Sequence, residues 1–416
     1  MHNTSSDSIP VIGLVAWHAL PVIDPSQGRS VGGLETGAWT LAVGLAQSAR
    51  AKVLFFVSAD RPVGEPIVEG VQLIPHVNRI EAIRRQVSAR VDVVPKLRVK
   101  HWNFNLLWQV PFLALSRPWR QPALTPMCVD HRLDRFASKV DIWFGFGANG
   151  DTARIAATAI AQRRPMLLFL ESNADLDRQV PDQLTNAYGE SPEQQRYALQ
   201  NASWVVCQSQ WQVDRLQQQW GKKGVLVRNP IVIEDWQPKQ EKASTGVLWI
   251  GRYDQFHKRT HLAIEIARLC PDLAFTMIIN RGDPAIEKSI RAQCPPNVTI
   301  IDYVPFNRIA HYFQSARVFL STGHWKHEGF PNVLLQAAAS RTPIVSMFDF
   351  DDFLKNSGAG MSSNDSVLLA SQLIKHHYLN DRTDWDQVSQ YLRAHHSRET
   401  VIAKVLELVE AELSHP

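Results

Sequence analysis

The sequence predicts an α/β chain of two domains, each a parallel sheet with helices on both faces. Three observations predict it. Apolar, β-branched runs alternate with helical periodicity through the 416 residues, which is the pattern of parallel sheets. A polar stretch, KQEKASTG at 239–246, reads as a linker between two such series. The turns that follow the strands are polar and often contain Gly, as expected where strand carboxyl ends line a ligand site.

Composition narrows the class. The chain is 45% hydrophobic and 20% charged, ordinary for a globular protein. A net charge of +4 is too small to imply nucleic acid. Cys128, Cys207, Cys270 and Cys294 fit neither zinc spacing nor a disulfide framework and are expected as free thiols in a reducing cytoplasm. MHNTSSDS lacks the basic and apolar regions of a signal peptide. No run of 18 apolar residues predicts a membrane span. The adjacent pairs His376-His377 and His395-His396 do not face one way on a helix, so no metal site is expected.

In order, PVIGLVAW (10–17) reads as a buried strand, followed by the Gly-rich loop GRSVGGLETG. ETGAWTLAVGLAQSAR has helical spacing and AKVLFFVS (51–58) is the next strand. This opening lacks GxGxxG, so it is not a dinucleotide fingerprint. Residues 79–120 interleave nine Arg and Lys with Trp102, Phe104, Trp108, Phe112 and Trp119. Such a basic, aromatic stretch suits an anionic membrane face or a lipid-linked partner; the alternative is a solvated basic face over core aromatics. VDIWFGF (140–146) and PMLLFL (165–170) are strands flanking the helix GDTARIAATAIAQ. Both run into polar turns, the second carrying Glu171, Ser172, Asn173 and Asp175. Strand 203–208 ends at Ser209, a helix N-cap.

The second series opens with GVLWIGRYDQFHKRTHLAIEIARL. Arg252 and Lys258 stand six residues apart between strand and helix, where two cations can bracket a diphosphate. LAFTMII, NVTIIDY, RVFLS and PIVSM are further strands, and SGAGM (357–361) reads as a turn. Ser397 caps a closing helix, RETVIAKVLELVEAEL, whose Val401, Val405 and Val409 recur at helical spacing.

HEGFPNVLLQAAASRTP (327–343) carries the most chemistry. Glu328 precedes a turn through Gly329 and Phe330, and Pro331 is expected at the first helical position. A helix start offers unpaired N–H groups to a phosphate. Gln336 lies five residues beyond Pro331, roughly 7 Å along the axis, about the span from a diphosphate to its ribose.

On these residues the chain resembles the GT-B retaining glycosyltransferases, glycosyltransferase family 4 in particular. The resemblance rests on Glu328 and the second acidic position, here Gln336, around G-F-x-x-x-x-L. It rests also on Arg252 and Lys258 in G-R-x-x-x-x-K-G, with Arg259 in the Gly position. Gly32, Gly33 and Glu35 match G-G-x-E, and Asn229, Asp235, Trp236 and Pro238 match the segment entering the second domain. It covers nearly the whole chain, least at 79–135.

The resemblance implies residues 1–238 as an acceptor-side domain and 239–396 as a nucleotide-sugar domain, with 397–416 a helix returning to the first. It implies transfer of a sugar, with retention, from a nucleotide-diphosphate sugar to a glycan or lipid-linked acceptor, in surface polysaccharide or glycoconjugate synthesis. Glu328, Arg252 and Lys258 would be catalytic. Gly32, Gly33, Gly329, Phe330, Pro331, Asn332 and Gln336 would bind the donor, and Glu35, Glu171, Asn173 and His324 would meet sugar or acceptor. No metal or cofactor is expected. The expected location is cytoplasmic, and the basic, aromatic stretch 79–120 leaves a peripheral contact with the inner membrane face as one open reading. The family's usual cleft His has no counterpart between His131 and His257, and Glu171, Ser172, Asn173 and Asp175 are open substitutes. A nucleotide-sugar binder without turnover, and an epimerase or phosphorylase acting at the same carbon, remain compatible with these residues.

Overall fold

The computed structural model describes residues 9–24, 26, 31–59, 63–64, 66–77, 79–88, 90–92, 98–99, 101–116, 128–177, 191–238, 245–280 and 282–414. Most of the linker 239–246 and parts of 79–120 lie outside them.

The first sheet has eight strands in the order Gly224–Leu226, Trp204–Cys207, Met166–Phe169, Ile142–Phe146, Val11–Val15, Lys52–Ala59, Val71–Val77 and Ile67–Val68. All neighbours are parallel except the final hairpin. Alternate residues feed opposite cores. Ile12, Leu14, Val53 and Phe55 point into one, while Val15, Leu54 and Phe56 join the other. Both faces are covered, which is why these strands read as continuous apolar runs.

The second sheet has six parallel strands, Val298–Ile301, Phe275–Asn280, Val247–Arg252, Val318–Ser321, Ile344–Ser346 and Gly360–Ser362. Leu248 and Phe319 face one core, and Trp249 and Leu320 the other. The segment 357–361, expected as a turn, divides. Gly358 turns with φ +74° and Gly360 starts a strand against Ile344–Ser346. A Cβ on Gly360 would overlap the Ile344 carbonyl, so only Gly fits this approach.

The helix Arg398–Ser414 packs on Gly33–Gln47 of the first domain. Val401, Ile402, Val405, Leu406 and Val409 enter that domain's core. A Cβ on Gly44 would lie 2.6 Å from Ile402, so Gly44 sets the helix approach. Ile231 N donates to His396 O at 2.8 Å and Arg398 N to Ile231 O at 3.2 Å. The outgoing and returning crossings between domains therefore run side by side.

Candidate active site

A cleft of about 570 Å³ lies between the two sheets, within the usual range of small-molecule sites. The first domain contributes 31–36, Gly147, Asn149 and the turn after Met166–Phe169; the second contributes Arg252, His257, Lys258, Tyr303, Phe306 and 330–333.

Glu328 is its buried centre, 7% exposed. Oε1 pairs with Lys258 Nζ, and Oε2 lies 3.0 Å from His257 Nε2. Burial alone would raise this carboxyl's pKa, but His257 and Lys258 outweigh it and hold it well below the carboxylate range. Asp254 shapes the opposing loop. Its Oδ1 accepts the N–H groups of His257 at 2.9 Å and Lys258 at 2.6 Å, and its Oδ2 accepts Arg252 Nε at 2.9 Å. The loop thus wraps one carboxylate, and neighbouring side chains at 257 and 258 both reach Glu328.

Arg259 resolves one departure from the expected pattern. It takes φ +50° as the N-cap of Thr260–Arg268, a conformation that favours Gly. Its guanidinium is held by Thr322 O at 2.8 Å, Gly323 O at 3.3 Å and Asp365 Oδ1 at 2.6 Å. These bonds offset the backbone strain and tie the loop to the strand end before Glu328.

The helix beside Glu328 runs Asn332–Ala339, with Pro331 as N-cap and no side-chain cap. Pro331 is thus one position earlier than expected. The two domains clasp one another here. Phe330 N donates to Gln208 Oε1 at 2.7 Å, Asn173 N to Glu328 O at 3.1 Å, and Ser172 Oγ to His327 O at 2.8 Å. Asn332 Nδ2 donates to Gly33 O at 3.0 Å.

Glu171 is the titratable group on the opposite wall. Burial, then the charges of Asp175 and Glu35, push its carboxyl well above the ordinary range, against a hydrogen bond from Gln208. Asp175 has a structural task. Its Oδ2 accepts the N–H groups of Glu171 at 2.7 Å and Ser172 at 3.0 Å.

Residues 244–375 match the family model described as Glycosyl transferases group 1. No curated protein matches the chain in sequence. Solved structures match over nearly its whole length. Sucrose-phosphate synthase from Thermosynechococcus elongatus superposes with TM-score 0.67 at 14% identity, covering 98% of this chain and 100% of that one. TarM from S. aureus, solved with fondaparinux, α-GlcNAc-glycerol and UDP, gives 0.64 at 13%, covering 96% and 99%. HepE from Anabaena, solved with UDP-glucose, gives 0.64 at 14%, also covering 96% and 99%. The fold is GT-B.

Within the GT-B cleft, Glu328, Arg252, Lys258, Gly32, Gly33, Phe330, Pro331, Asn332, Gln336, Glu35 and Glu171 all line one pocket. Three expected residues do not. Asn173 is buried, donating from Nδ2 to Trp325 O at 2.7 Å and accepting from Gln212 at 3.1 Å. His324 stacks on Trp325 and packs edge-on to Phe348. Gly329 approaches the other domain instead of a ligand; a Cβ there would overlap Gln208 Oε1 and lie 2.7 Å from the Glu171 carbonyl. The Phe330 N–H, expected to meet a phosphate, is taken by Gln208. Glu35 doubles as a cap, accepting Gly32 N at 2.9 Å. The residue that sequence reasoning missed is His257. Its signal was adjacency to Lys258 in a loop, where neighbours need not diverge.

Proposed function

We propose that the cleft binds a nucleoside-diphosphate sugar and that the chain transfers the sugar, with retention, to a hydroxyl of a glycan or glycolipid acceptor. The observation that carries this reading is a single constellation. Arg252, Lys258 and an uncapped helix start converge on the buried Glu328 in one interdomain pocket. The group 1 match over 244–375 supports it, as do the UDP and UDP-glucose complexes of similarly folded proteins.

The bond from the anomeric carbon to the phosphate oxygen breaks, and its electron pair leaves with the diphosphate. Arg252 and Lys258 stabilise that charge as it develops. Glu328, kept ionised, accepts hydrogen bonds from sugar hydroxyls and orients the ring. The acceptor oxygen bonds to the same face, and its proton passes to the departing phosphate. Gln336 offers an amide oxygen to the ribose where an acid is usual.

The test is a thermal-shift screen against UDP, GDP, ADP and dTDP and their sugars. A ligand at 100 times its Kd adds about 2.7 kcal/mol to the folded state. One nucleotide is expected to raise Tm, with Arg252→Ala abolishing the shift. No shift with any nucleotide would defeat the proposal. A shift without product on any acceptor would favour a binder.

A further inference from the structure

The helix Leu106–Leu115 is inside out. Its inward face carries Leu106, Leu113 and two polar side chains, Gln109 at 1% exposure and Ser116, just past its end, at 0%. Gln109 Nε2 donates to Gln86 Oε1 at 2.7 Å while its buried Oε1 has no hydrogen-bond partner among the described residues, and Ser116 Oγ donates to the Leu113 carbonyl at 3.0 Å. Its outward face is Leu107, Trp108, Pro111 and Leu115, preceded by Phe104, with no charged residue anywhere along the helix. Phe104 is 79% and Leu115 74% exposed. A helix in water normally shows the reverse arrangement, and a contiguous exposed apolar face of this kind marks an interaction site.

The neighbouring chemistry selects the partner. Gln86 belongs to the helix Arg79–Ser88 packed alongside, which exposes Arg79 and Arg84. Trp102, just before the helix, and Trp108, on its outward face, are both exposed, and tryptophan is the residue enriched at the boundary between headgroups and acyl chains. Apolar surface, bordering tryptophan and neighbouring arginine together match an anionic bilayer. The arrangement also suits the pocket. The helical pair leaves the sheet after Val77, at the carboxyl end of a strand parallel to Lys52–Ala59, the end from which the cleft loops also depart. We infer that the outward face of Leu106–Leu115, with Arg79 and Arg84, seats the first domain on an anionic lipid surface. The surface lies outside the pocket, so the inference is tested without any sugar.

The probe is the full chain with phosphatidylcholine vesicles, with and without phosphatidylglycerol. The expected result is co-sedimentation with phosphatidylglycerol vesicles, a blue shift of tryptophan emission, and loss of binding as salt rises. Arg79→Ala with Arg84→Ala should weaken binding about 30-fold at low salt, from about 1 kcal/mol per basic residue. Leu107→Glu with Leu115→Glu should abolish it at unchanged Tm. If that variant does not fold, quenching of wild-type tryptophan by brominated lipid gives the same decision. Failure of the wild type to bind phosphatidylglycerol vesicles overturns the inference, as does equal binding by both variants. Self-association abolished by the Glu variant, without vesicle binding, would assign the face to a second copy.

Discussion

His257 Nε2 lies 3.0 Å from Glu328 Oε2, while its Nδ1 lies 2.8 Å from Arg252 Nη2. A guanidinium can only donate, so Nδ1 accepts and Nε2–H points at the carboxylate. One ring therefore spaces Arg252, proposed to hold the diphosphate, from Glu328, proposed to orient the sugar. His257→Ala removes a hydrogen bond to a charged group, about 1.5–3 kcal/mol, so turnover should fall about 10- to 150-fold. Nucleotide thermal shifts should persist through Arg252 and Lys258. Steady-state rates beside binding data decide it; unchanged kcat would leave His257 without the positioning task.

Gln336 lines the pocket with a neutral amide. If it meets ribose hydroxyls, Gln336→Glu replaces neutral bonds with charge-assisted ones of about twice the strength. Nucleotide Kd is expected to drop about tenfold, the equivalent of about 1.4 kcal/mol. Calorimetry with the nucleotide found in the screen is the check, and an unchanged Kd would remove Gln336 from the ribose subsite.

Gly329→Ala places a methyl against Gln208 and the Glu171 carbonyl. Overpacking of this kind costs about 1–3 kcal/mol. The clasp should loosen, with lower Tm and weaker nucleotide binding. Small-angle scattering should report a more open pair of domains, and a compact profile like wild type would argue that the clasp tolerates the methyl.

The elevated Glu171 pKa has a definite sign. The folded state keeps a proton that the unfolded chain releases near its ordinary 4.5. The associated stability is complete below that value and is lost as pH rises toward the folded value. Glu171→Gln cannot ionise. Its Tm advantage over wild type should therefore grow as pH rises above the ordinary 4.5 toward neutrality, with the buried Asp175 titrating in both proteins. A difference in Tm that stays constant across that range would show that Glu171 titrates normally.

What the sequence made legible was local. Ser209 capping Gln210–Trp220 follows from residue type at a strand end. Arg252, Lys258 and Glu328 were singled out by the family resemblance, and all three line one pocket. What stayed hidden depends on how the domains meet. Asn173, Gly329 and the Phe330 N–H are committed to partners more than 100 residues away, and no local pattern announces such a contact. The strand Gly360–Ser362 was missed because three residues with a Gly carry no apolar run.

The closing helix has a consequence for biosynthesis. Val401, Ile402, Val405, Leu406 and Val409 complete the first domain's core, yet they are translated only after the whole second domain. At about 5–20 residues per second, the first domain waits roughly 10–30 s with that groove uncovered. During that interval the nascent chain presents an apolar groove beside Gly33–Gln47, a ready target for chaperones and, without them, for aggregation.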